Sequence, residues 1–321
     1  MATGIEAPTR HRSLGITLVL LAAVMFIVNA GVSRVAMQDG IEPAVLATVR
    51  ITGTFLVLLV AAAVFSRPAL RLPRGRLAVL IVIQGLVGVA ALQWTYFVAI
   101  QRLPLGLALL LEYQAPVLVA IWAWLVQKHA TTPRVWLGLV MAVAGLAAAA
   151  DVFTGLSFDT VGLIAGLAAA VSFASYFLVG EACLQHADPM RVILWSFGVA
   201  AVVLNLVAPP ENIGTMAGSQ ASLLGNLSHL HLPGWVVLGW VIVFGTLLPF
   251  TFELIAMRHV RAATVTMLAM LEPIGVAAIG WAWYDETMTA TAIAGCVVVV
   301  AGLLIAESAR HHDEPEPVLL T

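Results

Sequence analysis

A chain of 321 residues with 61% hydrophobic and only 10% charged side chains cannot hide its apolar surface in water, since soluble domains carry about a quarter charged residues. Its net charge of -2 supplies no basic field, so a nucleic-acid partner is not expected. Cys183 and Cys296 lie far apart inside apolar runs and read as packing residues rather than a disulfide or metal pair.

Residues 1–13 form a short tail with Arg10, His11 and Arg12. The apolar stretch from Leu14 to Val35 exceeds the roughly 7 to 15 residues of a signal-peptide core, which predicts a retained first helix. A spanning helix needs roughly 20 apolar residues. Windows of that kind recur over 14–36, 44–65, 77–100, 104–126, 134–151, 160–182, 190–208, 234–257, 262–283 and 289–307. The expectation is an all-α integral membrane protein with ten transmembrane helices and no room for a soluble catalytic domain. The connection 209–233, rich in Gly, Ser and Asn, is expected to be an exposed loop with an interfacial turn. Its sequon at Asn226 is a chance match. The tail 308–321, acidic and bearing Pro315 and Pro317, is expected to be disordered.

Cytoplasmic loops are enriched in Lys and Arg. With the N-terminus inside, that side receives Arg10, Arg12, Arg67, Arg71, Arg74, Arg76, Lys128, Arg134, Arg191, Arg258, Arg261 and Arg310. The opposite side receives Arg102, with Arg34 near it. Both termini are therefore expected in the cytoplasm.

The stretch from Ala99 to Ala149 lies on Ala256 to Ala306 without a gap, at an offset of 157 (273 − 116). Pro116 falls on Pro273, Trp124 on Trp281, Gly138 on Gly295 and, upstream, Gly88 on Gly245. Asn29 and Tyr176 form an aligned polar pair on the first and sixth windows. An odd number of spans per copy obliges the second copy to enter the membrane from the other side. Two inverted five-helix repeats, 14–151 and 152–307, are thus expected, an architecture typical of secondary transporters. The loop charges agree, with Lys128 and His129 opposite Asp285 and Glu286. A duplication retained only as an ancestral relic is the alternative.

These residues resemble the ten-helix EamA group of the drug/metabolite transporter superfamily. The resemblance is carried by the helix pairs around Ala99 to Pro116 and Ala256 to Pro273, each followed by an aromatic-rich end and a Gly-bearing helix. It covers essentially the whole chain. In that group the fourth and ninth helices commonly end in an acid; the second copy keeps this at Asp285 and Glu286, whereas the first has Gln127, Lys128 and His129. The resemblance implies export of amino acids or other small metabolites. The stretch Leu111, Glu112, Tyr113 to Pro116 looks most like exporters of the threonine/homoserine type.

A charge near the bilayer centre costs a few kcal/mol and asks for a partner or a wet cavity. Arg50, Glu112 and Glu272 fall roughly 9, 12 and 15 Å from the ends of their spans, one layer near the midplane. Glu253 lies lower and is expected to pair at the interface with Arg258. Pro116 and Pro273 each remove a backbone donor and open a helix at matching depth, where transporters place their substrate site; simple packing kinks are the alternative. Glu112 and Glu272 are expected to line a cavity, with Arg50 as positive counterpart for the carboxylate of a zwitterion. A buried carboxylate is also a candidate proton carrier. The rival arrangement pairs Arg50 with Glu112 structurally. Gln93, Trp94, Tyr96, Tyr113 and Gln114 are candidate solute contacts, although Trp and Tyr also serve as interfacial anchors.

The histidines occupy loops, span ends or termini, and no nucleophile elbow, HExxH or Gly-rich phosphate loop is present, so neither an intramembrane enzyme nor a metal site is indicated. No cofactor is expected. The expected partners are a small-molecule substrate, protons and the lipid bilayer, and the expected location is the plasma (inner) membrane of a bacterium. A channel or structural subunit is the alternative.

Overall fold

The computed structural model describes residues 11–103, 105–128, 132–149, 159–210 and 213–313. Expectations placed on Arg10, His129 and the chain beyond Asp313 lie outside these residues. Among the described residues each of the ten apolar windows is occupied by helix, in two pieces in two of them. Helices α1 Arg12–Gln38, α2 Pro43–Phe65 and α3 Arg76–Arg102 are followed by two in tandem, α4 Leu105–Glu112 and α5 Ala115–Leu125, and by α6 Pro133–Ala149. Then come α7 Thr160–Leu184, α8 Pro189–Val207, the short α9 Ile213–Gly218, α10 Gly234–Ala256, a second tandem α11 Ala262–Ala269 and α12 Glu272–Tyr284, and α13 Ala290–Asp313. Eight windows hold helix long and apolar enough to cross a membrane. Helix α6, with 17 residues, and the apolar part of α13, Ala290–Ala306, are shorter.

Positions 157 apart adopt the same local structure. Helix stops at Glu112 and resumes at Ala115; it stops at Ala269 and resumes at Glu272. Each break contains a tightened turn, with the amide of Gln114 donating to the Leu111 carbonyl at 3.1 Å and that of Leu271 to Leu268 at 3.0 Å, the second break adding Met270 to Met267 at 3.1 Å. Each break precedes the proline by one turn or less, as expected when a helix loses a donor. Lys128 and Asp285, the equivalent residues past the ends of α5 and α12, both take left-handed conformations, with φ of 53° and 57°. Wide π turns interrupt α3 over Gln84–Ala91 and α10 over Val243–Leu247, and these contain the equivalent glycines Gly88 and Gly245.

Helices α6 and α13 pack against each other along a glycine seam. A Cβ on Gly302 would sit 2.6 Å from the Gly138 carbonyl, and one on Gly145 2.7 Å from the Gly295 carbonyl. Residue 138 meets 302 and 145 meets 295, so the two helices run antiparallel. Only glycine lets the backbones approach this closely.

The core between α1, α7, α8 and α10 is an aromatic lattice. Tyr176 meets Phe177 and Phe250 edge-on at 5.1 and 5.4 Å, and Phe250 also meets Phe26 and Phe197 at 5.2 and 5.4 Å. Such edge-to-face pairs contribute about 0.5–1.5 kcal/mol each beyond area burial.

Two expectations are corrected. The connection 209–233 is not a simple exposed loop: after α9 it forms a hairpin, β1 Gln220–Ser222 pairing antiparallel with β2 His231–Pro233. That hairpin is clasped to the bundle. Trp283 Nε1 donates to the Leu223 carbonyl at 2.9 Å, Asn226 Nδ2 to the Ala282 carbonyl at 3.1 Å, and Ser219 Oγ to Asp39 at 2.6 Å. Apolar side chains spread along this segment (Ile213, Ala221, Leu223, Leu224) supply the driving force, since they pack under α1, α2 and α10. Second, residues 308–313 continue α13 as helix rather than starting a disordered tail.

At the same end of the bundle Arg34 pairs with Glu286 and lies 4.3 Å over the Tyr284 ring, whose hydroxyl donates to the Gly31 carbonyl at 2.8 Å. At the other end Arg191 donates to the carbonyls of Arg71 and Leu72 at 3.0 and 2.9 Å.

Candidate functional site

The two helix breaks meet inside the bundle. Tyr113, in the break between α4 and α5, donates its hydroxyl hydrogen to Oε2 of Glu272, the first residue of α12, at 2.9 Å. Both are buried, and Phe173 of α7 closes one side of Tyr113 edge-on at 5.9 Å. Glu112, one residue earlier than Tyr113, is half-buried and lies within electrostatic reach of both Tyr113 and Glu272.

Arg50 approaches from α2. Its Nε donates to Thr246 Oγ1 at 3.0 Å and its Nη2 to the Gly245 carbonyl at 3.5 Å. The local reason lies in Pro249, four residues beyond Gly245. A proline at that position has no amide to offer the Gly245 carbonyl and crowds it; the helix widens into its π turn, and the carbonyl is left to Arg50. Thr246, fully buried, donates its own hydroxyl to the Val241 carbonyl at 2.8 Å, which leaves its oxygen to accept from Arg50. Among the described residues Arg50 forms no ion pair, so the rival structural pairing with Glu112 is not realised. Tyr96 and Glu112 lie within its electrostatic reach, and Nη1 makes no hydrogen bond among the described residues.

The structure therefore brings Arg50, Tyr96, Glu112, Tyr113 and Glu272 together, between the α2–α10 contact and the two breaks. Pro116 and Pro273 are buried immediately beside those breaks. Gln93 is buried on α3 without a hydrogen bond among the described residues. Trp94, at 40% exposure, lies on the surface and does not join the cluster. Gln114 spends its amide on the Leu110 carbonyl at 3.0 Å, finishing the turn at the break.

Glu253 is a correction. Its expected partner Arg258 instead donates to Asp188 Oδ1 at 2.8 Å. Glu253 faces the interior at 1% exposure, and its Oε2 has no hydrogen-bond partner. The end of the helix explains the difference: α10 stops at Ala256 and Arg258 lies in the turn beyond it, so its side chain follows the turn to Asp188 while Glu253 stays on the inward face of the helix.

Gln84 was missed by sequence reasoning. Fully buried at the start of the π turn of α3, it donates to the Tyr176 carbonyl at 3.0 Å and keeps Oε1 unpartnered. Its signal was a single amide four residues before the repeat-matched Gly88. The aligned pair Asn29 and Tyr176 also acquires a role. A Cβ on Gly88 would stand 2.9 Å from Tyr176 Cα, and one on Gly245 would collide with the side chain of Asn29. Each π turn thus packs on the aligned residue of the opposite half of the chain.

Outside the buried region, Asp159 caps α7 by accepting from the Gly162 amide at 2.7 Å. That backbone bond, aided by Arg102, holds its carboxyl below the usual range. His259, beside His11, is held below the usual histidine value by partial burial first and then by the charges of His11 and Arg258.

The EamA-like transporter family matches residues 13–150 and again 160–307. An uncharacterized transporter of Archaeoglobus fulgidus is 27% identical over 215 residues, 66% of this chain and 70% of that protein. The threonine/homoserine exporter RhtA of Salmonella typhimurium is 27% identical over 214 residues, and that of Escherichia coli K12 is 25% identical over 216. The alignment spans 66% of each of these two exporters. A protein of solved crystal structure superimposes with a TM-score of 0.76 at 17% identity, covering 95% of this chain and 100% of that one.

Proposed function

The chain belongs to the EamA-like transporter family, and from that premise we propose that it is a multi-pass secondary active exporter of small metabolites such as amino acids rather than an enzyme. One observation carries this reading: two helix breaks at positions 157 apart are joined by the Tyr113–Glu272 hydrogen bond, with Glu112 and Arg50 beside them. On this reading 14–151 and 152–307 are inverted five-helix repeats, all ten helices cross the membrane, and both termini are cytoplasmic. The membrane is the plasma (inner) membrane of a bacterium.

A zwitterionic solute fits the cluster from both ends. Its carboxylate takes the guanidinium edge of Arg50 that Thr246 and Gly245 leave free, and its ammonium goes to Glu112 and Glu272. Two like charges and one opposite charge in a low-dielectric site select for a dipolar ligand. Repeats of equal structure permit two states of similar energy, open to either face. The likeness to the threonine/homoserine exporters RhtA supports amino acids as the first class to try.

The experiment is export from intact cells loaded with a mixture of amino acids and dipeptides, comparing overexpressed chain with its Glu272→Gln variant at matched protein levels. Faster loss of particular compounds that requires Glu272 is the expected result. Equal loss with and without the protein across the panel overturns the reading.

A further inference from the structure

Asn29 carries an amide that its surroundings leave unused. It lies on α1 at 5% exposure with Oδ1 enclosed, and neither Oδ1 nor Nδ2 has a hydrogen-bond partner among the described residues. A buried amide in this condition is costly to fold around. A side chain on Gly245 would run into Cγ, Oδ1 and Nδ2 of Asn29, which are the three atoms nearest to it. The amide therefore fills the volume that the glycine leaves open on the π turn of α10. The carbonyl of the same Gly245 accepts from Arg50 Nη2 at 3.5 Å, and Thr246 accepts from Arg50 Nε at 3.0 Å. Asn29 from α1 and Arg50 from α2 thus meet at one residue. Two positions earlier on α1, Ile27 fills the space beside Gly275, three residues past Glu272. Helix α1 therefore packs against both the turn that holds Arg50 and the start of α12.

The equivalent place in the other repeat is built differently. Tyr176 packs on the Gly88 turn, but its hydroxyl has a partner, donating to the Phe250 carbonyl at 3.4 Å. Val89 stands where the second copy has Thr246, and Leu92 where it has Pro249. Among the described residues no side chain donates to the Gly88 carbonyl. One π turn is packed with apolar and satisfied groups; the other gathers a guanidinium, a hydroxyl and an unused amide. Were Asn29 glue between helices, its amide would be bonded across, as that of Gln84 is to the Tyr176 carbonyl at 3.0 Å.

We propose that Asn29 is a specificity-determining residue of the solute site: together with Arg50 it clamps a carboxylate, Asn29 Nδ2 donating to one oxygen and the guanidinium to the other. This rests on the solute reading above and names the group that the second donor reads. An amide donor carries no charge, so it strengthens carboxylate binding without adding a second buried cation to the empty site. A solute that lacks the carboxylate leaves the amide unbonded and is rejected for that reason.

The test uses the purified full chain in liposomes and exchange of radiolabelled L-threonine. The competitors are unlabelled L-threonine and L-threoninol, in which CH2OH replaces the carboxylate. Asn29→Ala and Asn29→Leu are each expected to raise the half-inhibitory concentration of L-threonine about ten-fold or more, and that of L-threoninol by less than about two-fold. The maximum exchange rate is expected to stay within about two-fold of wild type. An equal rise for both competitors, or no rise for either, overturns the proposal. Melting in detergent separates the clamp from a structural role. Asn29→Leu keeps the volume and removes an unbonded polar group, so it is expected to melt within about 2 °C of wild type or above it. A larger fall assigns Asn29 to packing and overturns the clamp. If wild type exchanges no L-threonine, that substrate is wrong, and the same competition is run with each compound exported from the loaded cells against its amino alcohol. A panel with no exported compound overturns the solute reading and the clamp with it, whereas normal wild-type exchange indifferent to Asn29 overturns the clamp alone.

Discussion

Tyr113 and Glu272, 159 residues apart, share one buried hydrogen bond of 2.9 Å. The bond ties the break in one helix tandem to the break in the other, so any movement of one half of the chain relative to the other at this level must stretch or carry it.

Replacing Tyr113 by Phe keeps the ring against Phe173 and removes only the donor. A buried acceptor left unsatisfied costs about 1–3 kcal/mol, which corresponds to a loss of about five-fold or more in solute affinity or turnover if the bond orients Glu272. Export rate against substrate concentration for Tyr113→Phe checks this. Unaltered kinetics would place the bond outside the transport cycle.

Arg50→Lys preserves charge and discards geometry. An ammonium has no Nε to donate to Thr246 and cannot offer a planar fork to a carboxylate. Transport is expected to fall at least ten-fold, whereas Thr246→Val, which removes one accepting oxygen, costs less. Wild-type affinity in Arg50→Lys would mean that only the charge matters.

Gly245→Ala and Gly88→Ala test the packing of the π turns. The added methyl overlaps Asn29 in the first case and the backbone of Tyr176 in the second, so each is expected to destabilise by about 1–3 kcal/mol. Shortening the opposing side chain recovers only the first: the double variant Asn29→Ala with Gly245→Ala regains thermal stability in detergent, while no side-chain change at Tyr176 rescues Gly88→Ala.

His259 gives a pH dependence with a defined sign. Its folded pKa is lowered by burial, then by His11 and Arg258, so the unfolded chain binds the proton more readily. Its contribution to stability is present above the ordinary histidine value of about 6.5 and is lost as pH falls through the folded value. Thermal unfolding followed from pH 7.5 to 5 is expected to show a decline that His259→Gln flattens. An identical decline in the variant would assign it to other groups.

The local features were legible early because their causes are local. Apolar windows are set by composition, and every one of them became helix. Pro116 and Pro273 marked the two breaks because a missing amide acts within one turn. The offset of 157 carried further than the side chains alone, since the left-handed Lys128 and Asp285 and the paired π turns repeat the backbone as well. Pro249 was as plain as the other two prolines, but its effect, a carbonyl offered to Arg50, needs a partner from α2, 195 residues away in sequence.

From its sequence by itself this protein was determined to be a helical membrane chain with broken helices at matched positions and ionisable residues inside its apolar windows. Its three-dimensional packing alone decided which of those residues meet. Tyr113 reaches Glu272, Arg50 turns to Thr246, and Glu253 points inward while Arg258 turns to Asp188. The segment 220–233 is folded into a hairpin under Trp283. Each of these is settled by which faces are brought together in tertiary packing and by the cost of leaving a buried polar group without a partner.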